Sequence, residues 1–420
     1  MGCLLACALL LAAAPALEEE IERATRLLES GAVAETKALL AELEALAPRD
    51  RQLRFLKAHV ALREDERDRA IALFRELLSE DPALIRVRLD LARTLYEKGD
   101  LDAATYHFEL ALGADIPDPV RRNVQAYLDR MRHAETYLSL HIGVARDSNP
   151  SLAPRSNTIY LFGLPFELAP SAQPEPAWAL VVNAVGKIAL GADRRPYLVA
   201  TFDTREYRDA SLNHRFGQIG AGYSIPLERW RLGAEAGWHE AHFRKQNLAE
   251  GPWARMYAWG NVGGNVLLSP SLQRRWNDYP TYAYLSGTQD VAALDATVAA
   301  LPSLAFIPGI AVGRTSAVDP VFGFRSVELR FGVRTELPPG LIVGARLASA
   351  ESRYDAEDPL FQTTRRDRQR RFELEIVLRT FSVRGVVAPT LFFSRIRNDS
   401  NVSLYASERH LAGIGLTTRF

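Results

Sequence analysis

The sequence predicts an α+β multidomain chain: helical repeats of the tetratricopeptide (TPR) type, then an antiparallel transmembrane β-barrel of about 14 strands. Three observations carry this. Prolines recur at Pro48, Pro82 and Pro117, at intervals of 34 and 35 residues, within a stretch of helical apolar spacing. From about residue 138 that spacing gives way to period-two alternation over segments of ten or more residues. The last alternating segment ends on Phe420, the final residue.

Composition bounds what the chain can do. Its 420 residues carry 51 basic and 51 acidic side chains, so the formal net charge is zero and nucleic acid is not an expected partner. Cys3 and Cys7 are the only cysteines, which excludes a cysteine zinc site, an iron–sulfur cluster and a cysteine nucleophile. No cofactor is expected.

Taken in order, residues 3–17 hold fifteen residues without a charge, the length of a signal-peptide core rather than of a membrane-spanning helix. Ala14-Pro15-Ala16 has the form of a cleavage site, so residues 1–16 are expected to be a signal peptide. Residues 18–137 are then a periplasmic helical domain and 138–420 a barrel in the outer membrane. In the helical part Ala70 and Phe74 recur as Ala104 and Phe108, each 34 residues later. With Pro82 and Gly99 these form the repeat signature: small residues let paired helices approach, and proline ends the second helix. Such repeats form a concave groove that binds a peptide or protein, or they serve as a spacer.

The barrel strands are expected at 138–146, 178–190, 195–207, 214–226, 229–243, 253–267, 271–285, 291–301, 304–314, 324–335, 340–354, 369–380, 385–397 and 409–420. Connections 147–177 and 355–368 read as extracellular loops, and Pro226-Leu227-Glu228, Ser269-Pro270 and Leu337-Pro338-Pro339-Gly340 as periplasmic turns. Trp178, Trp230, Trp238, Trp253, Trp259 and Tyr354 fall near strand ends, as interfacial girdles do. Glu328, Arg330, Arg334 and Glu336 on the tenth strand, and Glu373, Glu375 and Arg379 on the twelfth, share the polar face and are candidate lumen residues. Arg365, Arg366, Arg368, Arg370 and Arg371 form a dense basic stretch that suits either lipopolysaccharide phosphates or a positive lumen wall.

Catalytic patterns are missing. His239 and His242 are three apart, so on a strand they face opposite sides and cannot share an ion. Ser407, Glu408 and His410 are split between faces in the same way, and Asp147 and Asn149 read as an Asx turn. An enzyme is not expected.

Ile414, Leu416 and Phe420 lie on one face of the final strand, and a terminal Phe there resembles the signal read by the barrel-assembly machinery. ARDSNPSLAP (145–154), RRDRQRRFELEI (365–376) and the tail RNDSNVSLYASERHLAGIGLTTRF (397–420) are similar to segments of the surface lipoprotein assembly modifier (Slam) family. In the tail Asn401, Leu404, Tyr405, Arg409, Gly413 and Phe420 carry the resemblance. It implies an outer-membrane translocon that moves client lipoproteins or secreted scavenger proteins to the cell surface, the helical module handling the client and the barrel acting as conduit. The loop 151–177, with Pro154, Pro165, Pro170, Pro174 and Pro176, departs from the family pattern. The alternative is a porin or exopolysaccharide-export barrel with a periplasmic TPR scaffold. Lipid and lipopolysaccharide are expected partners of any such barrel.

Overall fold

Seven helices precede a closed fourteen-stranded antiparallel barrel in the computed structural model. It describes residues 17–418 except 134–135, 170–171, 192–194, 228–229, 264–265, 302, 338–340 and 384–385. The signal peptide, Phe420 and the turn at Pro338 to Gly340 lie outside the described residues. The chain divides into two compact units at Phe108/Glu109.

The first unit is built of helix pairs. They are α1 (17–29), α2 (Val33–Leu46), α3 (Arg51–Arg63), α4 (Arg67–Glu80), α5 (Ile85–Lys98) and most of α6 (Leu101–Leu112). Ala70, Phe74 and Ala104 are fully buried and Phe108 nearly so, and the alanines allow close helix approach. Asp50 caps α3 by accepting from the backbone N–H of Gln52 (2.8 Å) and Leu53 (3.0 Å). Gly99 ends α5 at φ +90°, a left-handed conformation that costs a residue with a Cβ about 1 kcal/mol. Pro82 sits in the turn between α4 and α5, and its carbonyl accepts from the buried Arg88 (2.9 Å).

Arg54 of α3 donates to Glu76 (3.0 Å) and Glu80 (2.7 Å) of α4. Those hydrogen bonds hold the Glu80 carboxyl below its ordinary range. A depressed carboxyl stabilises the fold above its unfolded pKa and loses that contribution as pH falls through the folded one. Glu80 is half exposed, so the contribution is of surface-pair size, under about 1 kcal/mol. Limited proteolysis of the full chain below about pH 4 should open the α3–α4 pair more readily than at pH 7. Glu80→Gln should lack that component of the pH dependence, and an unchanged acid sensitivity would contradict it.

The second unit holds α7 (Asp118–His133) and the barrel. The strands are β1 (Tyr137–Asp147), β4 (Ala177–Ala189), β5 (Pro196–Tyr207), β6 (His214–Leu227), β7 (Trp230–Phe243), β8 (Gln246–Gly263) and β9 (Val266–Asn277). They continue as β10 (Gly287–Leu301), β11 (Leu304–Thr315), β12 (Phe324–Leu337), β13 (Leu341–Asp358), β14 (Thr363–Leu378), β15 (Ala388–Ser400) and β16 (Ser407–Thr417). Each strand pairs with its sequence neighbour and β1 closes on β16, so no sheet edge is left open. A small hairpin, β2 (Thr158–Leu161) with β3 (Leu164–Glu167), stands in the connection after β1.

Alternation fixes the two faces. Ile414 is 66% exposed, Met256 65% and Ile219 63%, with Leu347, Leu329 and Leu391 on the same outer surface. A closed apolar belt of this kind is unfavourable in water, since each such side chain gains about 1.5–3 kcal/mol from an apolar surround. Strands of eleven to eighteen residues reach across a hydrocarbon layer, which needs roughly ten.

Three local expectations are corrected. Ser269 and Pro270 lie inside β9, not in a turn. Proline has no N–H to donate, and the β8–β9 ladder skips Ser269 and Pro270 while the β9–β10 ladder continues through them. Residues 355–368 are not a long loop, because β13 and β14 continue to Asp358 and Thr363. Arg368 pairs with Glu351 at the base of this extension, and the β13–β14 backbone ladder carries on beyond it to Asp358 and Thr363. Trp253, Trp259 and Tyr354 point inward rather than joining a girdle with the outward Trp178 and Trp238. Trp253 is 2% exposed and lies over Gly220, where the missing side chain leaves room for the indole.

Candidate functional site

The inner face of the barrel has a packed side and a charged side. On the packed side Tyr197 donates to Glu235 (2.9 Å), and its hydroxyl is 2.8 Å from that of Tyr257. Their rings occupy the space above Gly222 and Gly233, where a Cβ would fall 2.4 and 2.2 Å from them. Lys187 lies 4.1 Å from the centre of the Tyr197 ring.

The charged side runs from β10 to β14. Glu328, Arg330, Arg334 and Glu336 share the inner face of β12, and Glu373 and Glu375 that of β14. Arg330 pairs with Asp295 of β10 at 3.1 Å and approaches Glu328 at 3.6 Å. Arg346 of β13 pairs with Glu373 at 3.3 Å, both side chains remaining open to the lumen. Glu336 is instead fully buried in an ion pair with Arg379. Arg379 stands in a 3₁₀ turn, Arg379–Phe381, just past β14, which corrects its expected place on the strand. These two residues brace one end of the wall and do not face the open lumen. Ile414 and Leu416 are on the outer, apolar face of β16.

The arginine stretch divides between the two faces. Arg365 and Arg371 turn inward: Arg365 bonds Asp367 at 3.0 Å and lies 3.4 Å from the centre of the Tyr405 ring. Arg366, Arg368 and Arg370 turn outward. His239 points inward to Asn277 (3.0 Å), whereas His242 stands opposite Arg215 on the other face. Among the described residues no group of three His, Cys, Asp or Glu side chains is placed to hold a metal ion.

A buried cluster at the β1–β16 seam was not visible in the sequence. Arg409 of β16 bonds both oxygens of Asp147 of β1 at 3.0 Å, across 262 residues of chain. Tyr207 of β5 donates to Asp147 (2.5 Å) and accepts from Arg409 (2.8 Å). Asp147 is 0% exposed and Arg409 6%. Asn149 is buried beside them, donating to the carbonyls of Ala153 (2.9 Å) and Glu408 (3.0 Å). The Asx-turn bond from the Asn149 N–H to Asp147 is present at 3.0 Å, yet the main partner of Asp147 is Arg409. The one sequence signal was the presence of Asp147, Asn149 and Arg409 in the segments that carried the family resemblance. Gly413, in the same tail, leaves space for the Phe392 ring.

The helical unit offers a separate surface. Phe55 and His59 of α3 pack edge to face (4.5 Å), Arg86 of α5 lies 5.2 Å from the Phe55 ring, and His59 meets Asp90 of α5 at 3.1 Å. This partly exposed face combines an aromatic ring with both signs of charge.

Comparison with known proteins follows the same division of the chain. Residues 10–108 match the family model for surface lipoprotein assembly modifier, N-terminal TPR repeats, and residues 263–420 that for surface lipoprotein assembly modifier. The chain is 21% identical to surface lipoprotein assembly modifier 1 of Haemophilus influenzae over 84% of its own length and 74% of the relative's. It is 24% identical to the surface lipoprotein assembly modifier of Pasteurella multocida over 41% of this chain and 34% of that one. Among solved structures, a Pseudomonas aeruginosa FadL homologue shares 10% identity at a TM-score of 0.39, over 71% of this chain and 92% of that one. The Yersinia enterocolitica type III secretion translocator chaperone SycD shares 20% identity at a TM-score of 0.27, over 28% of this chain and 85% of that one.

Proposed function

The chain belongs to the surface lipoprotein assembly modifier family, and from that premise we propose that it is an outer-membrane translocon for client lipoproteins or secreted proteins. The barrel is the conduit and the helical unit handles the client. The observation that carries the reading is the two-faced closed sheet, apolar outside and charged inside along β10 to β14. A hydrated, charged wall lets a polypeptide pass without burying its backbone groups in hydrocarbon. In this reading residues 1–16 are removed as a signal peptide, 18–137 stand in the periplasm, and 138–420 span the outer membrane. The short-turn end of the barrel then faces the periplasm and the end with the β2–β3 hairpin faces outward. The client meets the Phe55–His59 surface first, which raises its local concentration at the barrel. The barrel-assembly machinery inserts the chain through its last strand, with Ile414, Leu416 and Phe420 as the signal. The reading gives the chain no catalytic step.

Deleting residues 17–108, the helical part of the first unit, tests this. The remaining barrel should stay in the outer-membrane fraction, resist carbonate extraction and keep heat-modifiable gel mobility. Surface display of a co-expressed client lipoprotein should fall sharply. Full display by the truncated barrel would sink the client-handling role, and carbonate extraction of the intact chain would sink the insertion.

A further inference from the structure

We propose that the outer face of β13–β16 is a binding site for a phosphorylated, multiply acylated glycolipid of the outer leaflet. The proposal rests on the orientation given above, with the hairpin end of the barrel outside the cell. Strand register stacks the outward side chains of these strands in rows. The row of Val343, Ile376, Leu391 and Ile414 is wholly apolar, and so is the next one outward. The change comes where Leu347 and Phe372 stand beside Arg395. Beyond it lie Arg370 beside Arg397, then Arg368, then Arg353 beside Arg366.

The charges in these rows do not balance. Six arginines face three carboxylates, Glu351, Asp399 and Glu408. Arg368 takes Glu351, Arg395 takes Glu408 (2.6 Å) and Arg397 takes Asp399 (3.0 Å). Arg370 has only a 3.8 Å approach to Asp399. Among the described residues neither Arg353 nor Arg366 has a carboxylate within 4.0 Å. Elsewhere on the outer surface Arg274 is matched with Asp290 and Arg215 with Glu206. Among the described residues Arg325 of β12 and Arg146 of β1 also face outward without a carboxylate, but each stands singly, so the surplus is densest on β13–β16.

A groove joins the two zones. It encloses about 500 Å³, with Leu329, Phe331, Leu347 and Phe372 on its apolar wall and Arg370 and Arg397 at its charged end. A free phosphate would use only the charged end. An amphiphile with phosphates on its headgroup fills both, the guanidinium forks taking phosphate oxygens in pairs while acyl chains lie along the apolar wall. Two phosphates on one rigid disaccharide match a surplus of three positive charges spread over adjacent strands.

The test uses purified full chain in zwitterionic nanodiscs, with bis-phosphorylated lipid A, dephosphorylated lipid A and inorganic phosphate as probes. Wild type should bind lipid A, and the triple variant Arg353→Gln, Arg366→Gln, Arg370→Gln should bind it at least about tenfold more weakly. These three arginines make no contact under 3.5 Å with a carboxylate, so folding should be retained, as heat modifiability will report. Arg274→Gln should bind as wild type does. Dephosphorylated lipid A should bind wild type no better than lipid A binds the triple variant, and millimolar phosphate should not displace the glycolipid. Equal binding by the triple variant, or equal loss in Arg274→Gln, overturns the proposal. Displacement by phosphate alone also overturns it, since the site would then be for a simple anion. The measurement contains no client protein, so a failed conduit leaves its outcome intact.

Discussion

Replacing Arg330 and Arg334 together by glutamate is expected to cut surface display of a client lipoprotein by about tenfold or more, while the amount of folded barrel stays unchanged. Arg330 is the hub of the charged wall, within 3.1 Å of Asp295 and 3.6 Å of Glu328. A glutamate there would put a third acid between two others. Arg334 lies four residues further along the same inner face. The double change turns a wall of mixed sign into an acidic one, which repels acidic segments of a passing polypeptide and holds basic ones. Both side chains are partly exposed on the inner face and outside the backbone ladder, so the barrel itself should tolerate the change. Arg330→Gln with Arg334→Gln removes charge without reversing it and should give an intermediate effect. Display by flow cytometry on intact cells, normalised to heat-modifiable barrel in the membrane fraction, reads the outcome. Normal display with the reversed charges would move the passage away from the β10–β14 wall.

The second large effect concerns closure of the barrel. Arg409→Ala should lower barrel stability by about 3–5 kcal/mol, because it leaves the Asp147 carboxylate buried without its cation. Tyr207 alone cannot replace two charge-assisted bonds, although its hydroxyl stays within reach of Asp147. Asp147→Ala should cost a similar amount by stranding Arg409. The double variant Asp147→Leu, Arg409→Met removes both charges and should cost clearly less than the sum of the single changes. Urea midpoints of the heat-modifiable band provide the measure. Additive losses would show that the two residues act separately and not as one bond across the β1–β16 seam.

Different parts of this molecule were legible in the sequence to different degrees. The fourteen strands were countable because alternation is a property of neighbouring residues and needs no knowledge of partners. Errors collected where a local signal has two meanings. Pro270 read as a turn, yet a proline is tolerated in a strand where one ladder is allowed to lapse. The charged stretch 355–368 read as a loop, yet the β13–β14 ladder continues to Asp358 and Thr363, and pairing with a distant strand is not visible in a run of polar residues. Trp253 read as an interfacial residue, because its place over Gly220 depends on a partner thirty-three positions away.

By itself the sequence determined the order of the two parts, the repeat of the helices, the number of strands and the two faces of each strand. These follow from periods of 34, 3.6 and 2 residues, which the chain carries locally. Only the tertiary structure decided which arginines of the stretch 365–371 face the lumen and which the outer surface, because parity becomes direction only once the sheet has closed. Only it joined Asp147 to Arg409. A turn residue and a strand arginine 262 positions apart share no local pattern, and closure of β1 on β16 is what brings them together.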